Sequence, residues 1–119
     1  MEKTNLDEAF DSFDEQWSPR LAGAVNDHGL KLAKVEGEFD RHHHSVDELF
    51  MVRSGEVRLE LDDEEDVVLE AGEFVTIPAG VEHRPVAAGE AEILLFEPTE
   101  TRNTGNRETE RTTEVADLD

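Results

Sequence analysis

The chain has 119 residues, with 36% hydrophobic and 35% charged side chains, which suits one domain with a compact core under a densely ionised surface. Thirty-one Asp and Glu against eleven Lys and Arg leave a formal charge of −20. A field of that sign repels phosphate backbones and anionic headgroups, so neither nucleic acid nor a membrane surface is expected as a partner. There is no cysteine, so disulfides and thiolate-bound metals are ruled out and any metal must be held by nitrogen and oxygen. The start of the chain lacks the basic and apolar segments of a signal peptide and no apolar run reaches membrane-spanning length, which gives a cytoplasmic expectation. The acidity is spread over the whole chain and Arg outnumbers Lys, a balance that fits a salt-rich, halophilic setting in which screening relieves self-repulsion.

Leu6, Ala9, Phe10 and Phe13 recur at helical spacing and predict a short helix over residues 5–16, capped by Thr4 or Asn5 and stopped by Pro19. Trp17, the single tryptophan, is expected to seal an edge of the core. Residues 21–25 and 30–35 read as strands around a turn at Asn26, Asp27, His28 and Gly29, with His28 an exposed turn residue rather than a ligand. Glu48, Phe50 and Val52 alternate with Leu49 and Met51, as in a strand packed on both sides. Residues 57–61 alternate apolar and polar, and the five acids from Asp62 to Asp66 read as a solvated connection. Short strands over 67–69, 74–77, 81–86 and 93–96, punctuated by Gly72, Pro78, Gly80, Pro85 and Gly89, complete the rhythm of a small all-β barrel or sandwich. Three parts are expected: an N-terminal helix and arm over 1–19, a barrel over 20–98, and a C-terminal strap with a mobile tail over 99–119.

His42 and His44 are two residues apart, so on an extended strand both imidazoles leave one face, about 6.6 Å apart. Glu48 follows after a spacer long enough for a tight corner. Val81, His83 and Pro85 share a strand face by alternation, and in a barrel that face can look across at the other two histidines. Three imidazoles and one carboxylate without sulfur suit one divalent ion such as Mn, Fe, Co, Ni or Zn, with one or two positions left open. His43, between the two candidate ligands, should face away. Phe50, Phe74 and Phe96 are candidates for a pocket lining, with ordinary core packing expected for at least two of them. No general base is assignable, because alternation offers no second inward carboxylate.

The pattern of Gly37, His42, His44, Glu48 and Gly55, followed by Gly72, Pro78, Gly80 and His83, resembles the two motifs of the cupins. More loosely, nearly the whole chain is similar to small single-domain cupins described as mannose-6-phosphate isomerase-like. The resemblance implies a double-stranded β-helix jelly-roll barrel whose interior binds one metal through His42, His44, Glu48 and His83. Gly37 stands one residue closer to His42 than the family pattern has it, and Ala87 replaces an Asn that usually follows the last histidine. The implied function is a metal site acting on a small oxygen-rich molecule, a sugar or a hydroxy or keto acid, in an isomerase-like reaction. An iron-dependent dioxygenase, a non-catalytic binding module and a purely structural metal are the alternatives. A homodimer is expected from the prevalence of two-fold assemblies and of paired sheet edges.

Overall fold

A computed structural model describes residues 1–106, 109, 112, 113 and 115–118. Among the described residues the chain runs through one short helix, α1 (Leu6–Asp11), and eight strands: β1 (Arg20–Val25), β2 (His28–Glu38), β3 (Glu48–Ser54), β4 (Glu56–Leu61), β5 (Val67–Glu70), β6 (Phe74–Ile77), β7 (His83–Pro98) and β8 (Ala116–Asp117). Among the described residues no helix is long and apolar enough to cross a membrane.

β7 is the spine of a jelly-roll barrel. β2 lies antiparallel along its length from His28↔Pro98 to Glu38↔Val86. The other edge of β7 is shared, with β4 against residues 83–86 and β3 against residues 92–96. β5 extends β4, β6 extends β3, and β1 then β8 extend β2. The sequence suggests two strands where β7 is one, because Gly89 looks like a break. The register explains the difference: Val35 pairs with Ala91 and Gly37 with Ala87, so two steps on β2 face four on β7. The surplus residues bulge out around Gly89 without ending the strand.

The helix is also shorter than its apolar spacing suggests. Asn5 caps it through a bond accepted from the Glu8 N–H at 3.1 Å, but the Ser12 N–H and hydroxyl both turn back onto the Ala9 carbonyl. The buried Lys34 ammonium then donates to the Phe13 carbonyl at 2.7 Å, and Gln16 forms a parallel bridge to Lys34. Tertiary bonds therefore claim the backbone that a third helical turn would have used. His28 opens β2 rather than sitting in the turn, and its ring stacks on Phe96 at 5.4 Å.

Two apolar clusters follow from strand alternation. Inside the barrel, Val35, Phe50, Val52, Val57, Leu59 and Ile93 belong to one buried core. Outside, Ala9, Phe10 and Phe13 cover Leu32 and Leu94. Phe74 and Phe96 are on that outer surface, 57% and 36% exposed, and neither lines the cavity. β3 alternates as expected, with Glu48, Phe50 and Val52 buried and Leu49 and Met51 half-buried on the other face.

Candidate metal centre

The loop over residues 40–47 carries His42 and His44 without being a strand; its contact with the sheet is a bridge between His42 and His83. That bridge is reciprocal, with His42 N–H to His83 O at 3.0 Å and His83 N–H to His42 O at 2.9 Å. Neighbouring segments satisfy the rest of the loop. Gly80 N–H donates to His44 O at 2.8 Å and Asn106 N–H to His43 O at 2.9 Å, while the Asn106 side chain accepts from His43 N–H at 2.9 Å. These bonds replace a β-ladder and leave the loop free to curl. The imidazoles thus converge more closely than an extended strand would allow, with ring centroids 4.8 Å apart for His42 and His44.

All four expected residues come together. His42, His44, Glu48 and His83 are 3%, 6%, 4% and 1% exposed, and the rings of His42 and His83 are 4.4 Å apart. Glu48 lies 3.3 Å from His44 Nε2 and 3.8 Å from His83 Nε2 through its two oxygens. His43 points elsewhere, its Nδ1 placed 2.9 Å from Glu82. The Nδ1 atoms of His42 and His83 face the carbonyls of Asp40 and Val81 at 2.8 and 2.9 Å. A ring nitrogen facing a carbonyl must carry the proton, which leaves the Nε2 lone pair free to coordinate.

Burial sets the charge states. It holds His42 down at about 3, assisted by the neighbouring His83, and it also lowers His44 and His83. The three rings are therefore neutral at pH 7, the form that binds a metal. Both nitrogens of His44 lack a hydrogen-bond partner among the described residues. A buried imidazole facing a carboxylate with no shared hydrogen bond suits a cation between them. The donor set accordingly fits a divalent ion: ligand atoms of His42, His44 and His83 lie within 4.8 Å of one another, as do those of His44, Glu48 and Glu97.

Glu97 is the residue that the sequence reading missed. It is 2% exposed at the end of β7, against Glu48 and beside the fully buried Lys31. The Lys31 ammonium donates to Glu97 Oε1 at 3.3 Å and to the Thr101 carbonyl at 2.9 Å. Burial, then the charge of Glu48, pushes Glu97 up to about 9, and burial also raises Glu48, which favours a neutral Glu97 beside Glu48 and the Lys31 ammonium. Alternation could have found both residues. Ile93, Leu95 and Glu97 share one face of β7, and Lys31, Ala33 and Val35 share one face of β2.

Residues 30–98 match the family model described as Cupin_2, Cupin domain. This chain belongs to the cupin family. A cupin-2 domain containing protein from Shewanella frigidimarina NCIMB 400 shares 43% identity and superposes with a TM-score of 0.77 over 80% of this chain and 93% of its own. An uncharacterized protein, YdbB, from Bacillus subtilis (strain 168) is 48% identical over 61 residues, which are 50% of this cupin and 54% of that protein. The chain therefore spans about half the length of that curated relative. Hydroquinone 1,2-dioxygenase from Sphingomonas sp. TTNP3, with 4-hydroxybenzoate bound, has a TM-score of 0.76 at 21% identity, covering 82% of this chain and 32% of its own. At that identity the likeness establishes a shared cupin fold.

Proposed function

We propose that His42, His44, Glu48 and His83 hold one divalent ion (Mn, Fe, Co, Ni or Zn) and that this centre acts on a small oxygen-bearing molecule. The supporting observation is the convergence of three neutral, buried imidazoles, with Glu48 at 3.3 Å from His44 Nε2 and 3.8 Å from His83 Nε2 and no hydrogen-bond partner for either nitrogen of His44 among the described residues. A bound ion of this kind polarises an oxygen donor of the ligand as a Lewis acid. The residues do the rest: the Asp40 and Val81 carbonyls orient His42 and His83, and Val35, Phe50, Ile93 and Leu95 give the adjoining cavity apolar sides. Glu97 is the second inward carboxyl, placed to hold or pass a proton beside Glu48. An isomerase-like reaction on a sugar or a hydroxy or keto acid uses that proton. A binding module does without it.

An iron-dependent dioxygenase is the second reading, favoured by the fold shared with hydroquinone 1,2-dioxygenase. Elemental analysis tests the common claim: His42→Ala, His44→Ala and His83→Ala lose stoichiometric metal, whereas His43→Ala retains it. Oxygen uptake by iron-loaded protein separates the dioxygenase from the isomerase. We also propose a homodimer through the outer face where Leu49 pairs with Phe96 and Met51 with Phe74, since Phe74 and Phe96 are exposed there beside the half-buried Leu49 and Met51.

A further inference from the structure

The donor groups of the centre form two sets that overlap. Ligand atoms of His42, His44 and His83 lie within 4.8 Å of one another, and so do those of His44, Glu48 and Glu97. His44 belongs to both sets. Glu48 ties them together, with one oxygen 3.3 Å from His44 Nε2 and the other 3.8 Å from His83 Nε2. The result is one cluster of five side chains. Strand register brings the fifth into place. Leu49 pairs with Phe96 near the start of β3, so Glu48 and Glu97 come next, side by side. Gly29 and Lys31 of β2 pair with Glu97 and Leu95, which makes Lys31 the diagonal neighbour of Glu97 on the same face.

The two oxygens of Glu97 have different surroundings. Oε1 accepts from Lys31 Nζ at 3.3 Å, and the same ammonium donates to the Thr101 carbonyl at 2.9 Å. Oε2 is buried and has no hydrogen-bond partner among the described residues, a condition it shares with both nitrogens of His44. Buried polar atoms are almost always paired. An orphaned carboxyl oxygen and an orphaned imidazole in one cluster therefore mark a place for a cation. Charge balance points the same way. A divalent ion and the Lys31 ammonium, set against Glu48 alone, leave two positive charges uncompensated inside the barrel, and an ionised Glu97 removes one of them.

We infer that Glu97 is a fifth protein ligand of the ion, binding through Oε2 while Lys31 holds Oε1. The inference rests on the metal reading above and limits what that centre can accept. An ion such as Mn, commonly six-coordinate with oxygen and nitrogen donors, then keeps one position open instead of two. The ligand class narrows to molecules that offer a single oxygen to the ion rather than a chelating pair. The adjoining cavity agrees, with about 40 Å³ open to the centres of water-sized atoms, where one water needs about 10–15 Å³ of such space. Proton transfer by Glu97 then requires Oε2 to leave the ion first.

The test uses dialysed, Mn(II)-loaded full-length protein. Broadening of the Mn(II) electron paramagnetic resonance lines in water enriched with the magnetic oxygen isotope counts the water oxygens on the ion. The expected count is one for the wild type and two for Glu97→Met, where a water takes the place of the carboxylate. Glu97→Gln keeps the size and hydrogen-bonding reach of the side chain but not its charge. Its Mn(II) affinity, measured by competition with a chelator, should fall by more than about tenfold, whereas a residue that merely supports Glu48 through hydrogen bonds would be largely replaced by the amide. Trp17 is the only tryptophan, and its unchanged emission shows that the variants keep the fold; the wild-type count stands even if they do not. Two waters on the wild-type ion overturn the inference alone, and so does a loss of tenfold or less in folded Glu97→Gln. Absence of stoichiometric Mn(II) from the wild type overturns the metal reading and this inference with it.

Discussion

Lys31→Met tests how the buried charges are balanced. Lys31 and Glu97 are 0% and 2% exposed, 3.3 Å apart, with Glu48 against Glu97. Removing the ammonium leaves a net negative charge among buried carboxyls, and breaking a buried pair from one side costs about 3–5 kcal/mol. Against a total stability of about 5–15 kcal/mol, that is a large share and lowers Tm by roughly 10–20 °C in a domain of this size. The assay is urea unfolding of chelator-treated protein at pH 5 and pH 8, for the wild type, Lys31→Met, Glu97→Met and the double variant. Glu97 titrates near 9 when folded, against an ordinary 4.5, so the folded state takes up protons that the unfolded chain releases. A second proton can replace the missing cation, and it binds more easily in acid, so the Lys31→Met penalty should be larger at pH 8 than at pH 5. The double variant should recover part of the loss at pH 5, where the remaining buried Glu48 can take up a proton, and less at pH 8. Equal midpoints for wild type and Lys31→Met at pH 8, or a penalty that does not change with pH, would refute the reasoning.

Acid should destabilise the metal-free protein through its histidines. His42 titrates near 3 when folded, against an ordinary 6.5, so below 6.5 the unfolded chain takes up a proton that the native state refuses. Stability falls between those values by up to about 5 kcal/mol, and denaturant midpoints at pH 7, 5 and 4 measure it. Gly105→Ala should lower metal affinity and stability, the latter by about 1–3 kcal/mol, since Gly105 has φ of 58° and a Cβ there would stand 2.2 Å from the His43 carbonyl oxygen. Calorimetric metal titration and thermal melting check both effects. Phe74→Glu should shift the protein toward monomer in light scattering while leaving its metal content intact, because Phe74 is 57% exposed on the outer face.

Alternation carried much of the fold. The inward set Glu48, Phe50 and Val52 and the core positions Val57 and Leu59 lie where period-two reading places them. The metal-ligand candidates were legible as a spacing, but the geometry behind that spacing was not. His42 and His44 converge because Asn106 and Gly80, distant in sequence, take up the loop's backbone groups, and no local pattern encodes that. Lys31 and Glu97 were missed because charge argues for exposure, and only their mutual pairing makes burial tolerable. The helix ended early for a similar reason, since the Lys34 bond to Phe13 O is a tertiary effect that overrides local spacing.

The bonds between Asn106 and His43, with Gly105 packed against the same peptide, place late residues at the heart of an early motif. On the ribosome, His42, His44 and Glu48 emerge before the segment that shapes their loop, and Glu97 with its Thr101 anchor for Lys31 follows them. The shape of the candidate site is therefore completed after its side chains are made. A chain lacking residues 105 and 106 would carry the candidate side chains without the bonds that shape their loop.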